Sequence, residues 1–165
     1  MNEEAIYLVG QISVDVDETY AWRKRVRNYF ASTTYSHNIE VIDPCANEFN
    51  QSVKREAMVG IDNMKRVYSD GETNLLVPKD MSYVKKSTIG MANLNVYDPN
   101  KLIIGSFFEL AWYIDRPDKS VVGIFNGDPE QDRICMHPFV RRAVDVWVKN
   151  EYDACKIIER FFINV

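Results

Sequence analysis

The chain has 165 residues, 46% of them hydrophobic and 27% charged, which suits a single domain with a real buried core. Its formal charge of -4 argues against a nucleic-acid polymer as partner, because phosphate binding wants a basic face. No apolar run approaches the roughly 18 residues of a membrane span, and the acidic start Met1-Asn2-Glu3-Glu4 reads as no signal peptide.

Ala5 to Val9, closed by Gly10, is a short apolar run that predicts a buried first strand. Thr19 to Phe30 carries Trp22, Val26, Tyr29 and Phe30 at helical spacing. Arg23, Lys24, Arg25 and Arg27 are interleaved with that set and read as a solvated helix face. Ile39-Glu40-Val41-Ile42 predicts the second strand, stopped by Asp43-Pro44. Residues 45–73 read as an insertion of helix and loop: Val53, Ala57 and Ile61 have helical spacing, while Gly60 and Gly71 interrupt it.

Leu75-Leu76-Val77-Pro78 predicts a short strand, followed by one or two helical turns from Asp80 to Lys86. Thr88 to Leu94 predicts another strand, and Asp98-Pro99-Asn100 marks a turn in the loop after it. Helix Ser106 to Ile114 places Phe107, Leu110, Ala111 and Ile114 on one face. Ser120 to Phe125 is the next strand, the alternation Val144, Val146, Val148 predicts an edge strand, and Glu151 to Phe162 a final helix. Alternating strands and helices predict one α/β domain over residues 1–165. The expected architecture is a flavodoxin- or Rossmann-like three-layer sandwich, with a mostly parallel sheet of about five strands covered on both faces.

The three cysteines, Cys45, Cys135 and Cys155, have no metal-ligand spacing and suggest free thiols in a reducing cytoplasm. Cys135 and His137 form a nucleophile–base pair only if a third group orients them. Ser106-x-x-Glu109 ahead of an apolar helix is a capping box, in which both side chains satisfy orphan backbone N–H groups. The same geometry presents a carboxylate near a helix N-terminus, where the dipole favours its ionised form. Taken alone, capping is the stronger reading. Other polar groups fall at the same sheet edge, however: Tyr7 in strand one, Gly10-Gln11 after it, Asp43 after strand two, Asp80, and Asn93 and Asn95. Ligands of open α/β sheets bind outside the carboxyl ends of the strands, so this convergence favours a site built around Glu109.

Several segments resemble the nucleoside 2-deoxyribosyltransferase family: Ile6-Tyr7-Leu8-Val9-Gly10, Trp22-Arg23, Val41-Ile42-Asp43-Pro44, Pro78-Lys79-Asp80-Met81 and Gly105-Ser106-x-x-Glu109-Leu110-Ala111. The similarity covers roughly residues 5–125, with His137-Pro138-Phe139 as a further match. The resemblance implies that Glu109 attacks the anomeric carbon of a 2′-deoxynucleoside and that Asp80 helps protonate the leaving base. It implies that Tyr7 positions the nucleophile, and that no metal or organic cofactor takes part. Gly10, Gln11, Asp43, Asn93, Asn95 and Ser106 are then expected to contact substrate, with Asp98 the candidate carboxylate for the sugar hydroxyls. A neighbouring subunit of a homo-oligomer is expected to contribute the His137 segment, and the aromatic set Phe107, Phe108, Trp112 and Tyr113 fits a helix covered on both sides.

The chain departs from the family at Ser87-Thr88, where members often begin a strand with aspartate, and at its C-terminus, which lacks the tyrosine of some members. A related branch cleaves deoxynucleoside 5′-monophosphates. Here the first loop carries Asp15, Asp17 and Glu18, whose charge would repel a phosphate, so a neutral nucleoside is the expected substrate. The alternatives are a non-catalytic nucleoside- or nucleotide-binding module on the same fold, with Glu109 only a cap, and a domain for another phosphorylated ligand. Gly10-Gln11-Ile12 lacks the glycine-rich phosphate loop that the last would need.

Overall fold

Apolar alternation along the first strand sends Ile6 and Leu8 to one side of the sheet and Tyr7 and Val9 to the other, and two separate cores form on those sides. A computed structural model of the chain describes residues 4–48, 50–52 and 74–163. In it five parallel strands lie in the order β2-β1-β3-β4-β5: β1 (Glu4–Gly10), β2 (Ile39–Ile42), β3 (Ile89–Asn93), β4 (Ser120–Ile124) and β5 (Val146–Val148). Five α-helices are described: α1 (Glu18–Ala31), α2 (Leu76–Lys86), α3 (Ile104–Ile114), α4 (Pro138–Ala143) and α5 (Glu151–Ile158). The last runs into a π-helical turn, Glu159–Ile163.

One core unites Ile6, Leu8, Ile89, Met91, Val122 and Ile124 with Trp22, Val26 and Phe30 of α1 and Ala154, Cys155 and Ile158 of α5. The opposite core joins Tyr7, Val9, Ala92 and Val121 to Val84 of α2, Leu110 and Tyr113 of α3, and Val140 and Ala143 of α4. This is the expected three-layer α/β sandwich of flavodoxin-like order. The strand order reverses at β1, between β1 and β3, and that switch point opens the crevice in which such sheets hold ligands.

Two local expectations give way. Residues 75–78 form no strand: α2 begins at Leu76, and Leu75 and Val77 are exposed rather than buried. Pro78 permits this because it sits in the first helical turn, where its missing N–H has no intrahelical partner to lose. The capping box is absent as well, since α3 starts at Ile104 after Ile103 and has no side-chain cap. Ser106 therefore lies inside the first turn and Glu109 in the second. Helix α4 was not legible in the polar stretch after β4, because its six residues are too few for a periodic pattern. The expected helix and loop at 53–73, with Val53, Ala57, Ile61, Gly60 and Gly71, lie outside the described residues.

Gly10 closes β1 opposite Asn93 of β3. A Cβ there would stand 2.9 Å from the Asn93 carbonyl oxygen and 3.1 Å from the Trp22 ring. The backbone oxygen belongs to the sheet ladder and cannot move cheaply. Gly10→Ala is accordingly expected to cost about 1–3 kcal/mol, read as a lower midpoint in urea unfolding; an unchanged midpoint would show that the rim relaxes freely.

Candidate functional site at the β1–β3 rim

Helical and strand periodicity brings three side chains from distant parts of the chain to this rim. Tyr7 faces the α2–α3 side of the sheet, as the alternation of β1 requires. Helix α3 buries Ser106, Leu110 and Tyr113, so Glu109 sits at the edge of the stripe that meets the sheet. Asp80 precedes Val84, the fully buried residue of α2, by four positions and shares its face. The Tyr7 hydroxyl donates to Glu109 Oε1 at 2.6 Å.

Above this contact lies a cavity of about 190 Å³ lined by Gly10, Gln11, Ile12, Arg23, Pro44, Asp80, Leu102, Ile103, Gly105, Ser106 and Glu109. Burial pushes the Glu109 carboxyl up to about 7; the Tyr7 hydrogen bond opposes that rise, the Asp80 charge adds to it, and Arg23 and Lys79 oppose it. Burial likewise raises Asp80 above its ordinary range, against the pull of Lys79. Tyr7 is driven far up by burial and by the Glu109 charge, so its phenol remains a donor.

Arg23 is the residue most misjudged from sequence. It is 0% exposed, not part of a solvated face, although Lys24, Arg25 and Arg27 are exposed or half so. Its guanidinium donates to the carbonyls of Gly10 at 2.8 Å and Gln11 at 3.2 Å, and also to that of Thr19. Its Nε lies 3.7 Å from Asp43 Oδ1, and the group stacks on Trp22, 4.6 Å from the ring centroid. A usable signal was present: Arg23 falls in phase with Thr19, Trp22, Val26 and Phe30, the buried stripe of α1.

Of the residues expected at the site, Tyr7, Gly10, Gln11, Asp80, Ser106 and Glu109 come together. Gln11 is a wall rather than a free recognition group. Its amide donates to the carbonyls of Asp98 (2.8 Å) and Lys101 (2.9 Å) and accepts from the N–H groups of Tyr97 (2.9 Å) and Asp98 (2.8 Å), which uses its whole capacity. Asp98 does not line the cavity. It accepts from the Ser13 hydroxyl at 2.6 Å and the Asn100 N–H at 3.0 Å, which hold its carboxyl below the usual range.

Asn93 accepts from the backbone and amide of Asn95 (3.2 and 2.9 Å), and Asn95 accepts from the Asn126 N–H at 3.0 Å, so this pair shapes the loop. Asp43 is turned toward Arg23 and Arg27 (3.7 and 3.5 Å) and accepts from the Cys45 N–H at 2.9 Å. His137 stands elsewhere, stacked between Phe107 (6.4 Å) and Phe139 (5.7 Å) in an apolar hollow of about 340 Å³.

The carboxylates of the first loop also miss the cavity wall. Asp15 lies 3.8 Å from Lys101 Nζ, and Glu18 pairs with Arg25. The repulsion expected from them is therefore displaced from the site. All three cysteines are buried and free, with burial pushing Cys45 up to about 11 and Cys135 and Cys155 up to about 12. Cys135 has no thiolate character to offer His137. Among the described residues, no group of three or more His, Cys, Asp or Glu side chains is arranged to hold a metal ion, and no helix is long and apolar enough to cross a membrane.

Lys79, which sequence reasoning did not single out, pairs with the cavity-lining Asp80. Lys79 Nζ lies 3.5 Å from Asp80 Oδ1, and both atoms are shielded from solvent, without a hydrogen-bond partner among the described residues.

No protein-family model and no curated protein matches this chain. Among solved structures, a conserved protein from Enterococcus faecalis V583 is similar with a TM-score of 0.60 at 13% identity, over 95% of this chain and 98% of that one. The Mn(2+)-bound form of response regulator Rcp1 aligns with a TM-score of 0.44 at 16% identity, over 98% of this chain and 96% of its own. The first likeness concerns the fold alone, and the second carries no argument.

Glu109 makes the site costly to the fold. A free glutamate ionises near 4.5, whereas the folded chain holds this proton to about 7. Below the lower value the group adds no penalty; as pH rises through the higher one the fold loses up to about 3 kcal/mol. Glu109→Gln removes that charge, so its melting temperature relative to wild type is expected to be higher at pH 8 than at pH 5. Equal differences in calorimetry at the two pH values would contradict this.

Proposed function

We propose that the chain cleaves the N-glycosidic bond of 2′-deoxynucleosides through a deoxyribosyl–Glu109 ester, and passes the sugar to a second nucleobase or to water. The observation that carries this reading is the Tyr7–Glu109 hydrogen bond of 2.6 Å beneath a cavity that also holds Asp80. It supports the activity of the nucleoside 2-deoxyribosyltransferases that the sequence resembles.

Tyr7 engages Oε1, and among the described residues no other hydrogen bond to Glu109 competes for Oε2. Oε2 is thus the attacking atom. As it bonds to C1′, the bond from C1′ to the base nitrogen breaks, its electron pair leaves with the base, and the Asp80 carboxyl delivers a proton to that base. An incoming base or water then attacks C1′, the ester bond breaks, and the proton lost by the nucleophile returns to Asp80. Two displacements at one carbon retain its configuration, as in retaining glycosidases. Burial raises both carboxyls, and the Tyr7 bond together with the Arg23 and Lys79 charges draws Glu109 back toward its ionised form. Arg23 is committed to backbone carbonyls and Asp43, which favours a neutral nucleoside over a 5′-monophosphate. Free thiols fit a cytoplasmic setting.

A homo-oligomer belongs to the same reading. Phe108 and Phe139 are 60% and 67% exposed beside the hollow that holds His137, and a second copy would cover them. Light scattering is expected to give a dimer or larger species that Phe139→Asp dissociates; a monomeric wild-type protein would rule out a shared site.

Activity is tested by incubating the protein with a panel of deoxynucleosides and their 5′-monophosphates, with and without acceptor bases, and separating the products by chromatography. Base release or exchange from nucleosides is expected. Glu109→Ala should lower kcat more than roughly a thousandfold with binding retained, and kcat/KM should be bell-shaped in pH, because Glu109, raised to about 7, must be ionised while Asp80 still carries its proton. A protein that binds nucleosides without releasing any base is a binding module instead, and equal or faster turnover of monophosphates would overturn the neutral-substrate assignment.

A further inference from the structure

Among the described residues, five polar side chains line the cavity: Gln11, Arg23, Asp80, Ser106 and Glu109. Gln11 is fully engaged by the loop after β3, and Arg23 is turned onto backbone carbonyls and Asp43. Glu109 and Asp80 carry the chemistry proposed above. Ser106 is left. It is only 4% exposed, yet among the described residues its hydroxyl makes no hydrogen bond. A buried hydroxyl ordinarily has a partner. Its oxygen is not sealed off as the Lys79 ammonium is, so the cavity that it lines can deliver that partner.

Ser106 and Glu109 stand three positions apart on α3, which sets them side by side with Cβ atoms about 5–6 Å apart. A carboxylate that attacks C1′ in line with the departing base must approach from the sugar face opposite that base. In a β-nucleoside that face carries the 3′-hydroxyl, on the ring carbon next but one to C1′. The 5′-hydroxyl stands on the other face, with the base. The helical neighbour of Glu109 therefore meets the 3′ side of the ring. We propose that the Ser106 hydroxyl hydrogen-bonds the 3′-hydroxyl of the deoxyribose, so that the site selects sugars that carry it. The inference rests on the N-glycosidic reading given above and names the sugar determinant of the same site.

Asp98, expected from sequence to hold a sugar hydroxyl, is spent on Ser13 and Asn100; the part passes to Ser106. Each hydroxyl can donate or accept, so the two satisfy one another whichever gives its proton. With a sugar that lacks the 3′-hydroxyl, the serine stays shielded and unmatched. Ser106 is thus a specificity-determining residue, while Glu109 remains the nucleophile.

The test measures kcat/KM for the deoxynucleoside turned over fastest in the panel above and for its 2′,3′-dideoxy and 2′,5′-dideoxy analogues, in the wild type and in Ser106→Ala. Alanine gives up no hydrogen bond within the chain and is the better helix former, and thermal melts verify folding. The wild type is expected to favour the parent over the 2′,3′-dideoxy analogue by roughly 10- to 100-fold. Ser106→Ala should bring that ratio close to one by slowing the parent. It should slow the 2′,5′-dideoxy analogue, which keeps its 3′-hydroxyl, by the same factor. A wild type indifferent to the 3′-hydroxyl overturns the assignment while leaving the glycosidic activity in place. So does a ratio unchanged in folded Ser106→Ala, a variant that slows all three substrates alike, or one that loses its discrimination against the 2′,5′-dideoxy analogue instead. If no deoxynucleoside is turned over, the catalytic reading fails, and calorimetric titration with deoxyinosine and 2′,3′-dideoxyinosine decides the contact. Tighter deoxyinosine binding that is lost in Ser106→Ala supports it; equal affinities, or a difference that the variant keeps, overturn it.

Discussion

A buried guanidinium organises the rim on which everything else rests. Arg23 is removed from water within α1, and a charge in that position is tolerated only if its donors and its field are answered. The answers come from several separate pieces of chain: the carbonyls of Gly10 and Gln11 at the end of β1, that of Thr19 at the start of α1, and the carboxylate of Asp43 after β2. The ends of two strands and the entry to a helix are thereby fixed relative to one another. Once the Gln11 backbone is held, its side chain can reach across the rim and tie down the loop after β3 through four hydrogen bonds. That loop leads into α3, and α3 carries Glu109.

The arrangement separates the polar groups at the rim into two populations. Gln11, Ser13, Asp43, Asn93, Asn95 and Asp98 are consumed in mutual hydrogen bonds or ion pairs, and they hold the backbone in place. Tyr7, Lys79, Asp80 and Glu109 are less completely satisfied, and burial raises both carboxyl groups, the Asp80 charge adding to the rise of Glu109. Saturated networks rigidify a fold, whereas shielded groups with spare capacity are where ligands find a purchase.

The layers of the fold were legible because strand periodicity is short-range: of six segments read as strands five are strands, the weakly marked edge at Val146–Val148 included, and residues 75–78 are not. Tyr7, Asp80 and Glu109 were legible as rim residues from their places beside strand ends. What composed the second population was not. Gln11 meets Asp98 across 87 positions of sequence, and Ser13 meets the same residue across 85; no local pattern tells a glutamine or aspartate that holds a loop from one that holds a sugar. Arg23 was hidden for the converse reason. Arginines on a helix are usually solvated, and only its phase among Thr19, Trp22, Val26 and Phe30 separated it from its neighbours. The capping signature at Ser106 failed because the helix extends back to Ile104, which turns a supposed cap into an ordinary second-turn carboxylate.

The buried thiols have a practical consequence of another kind. Cys45, Cys135 and Cys155 are at most 2% exposed, and burial keeps all three protonated in neutral buffer. Maleimides and iodoacetamides react with exposed thiolate, so the native chain is nearly silent toward them. A single cysteine introduced on the surface would carry a fluorophore or spin label without prior deletion of the natural ones. The protein is in effect a ready-made scaffold for spectroscopic distance measurements across its own rim.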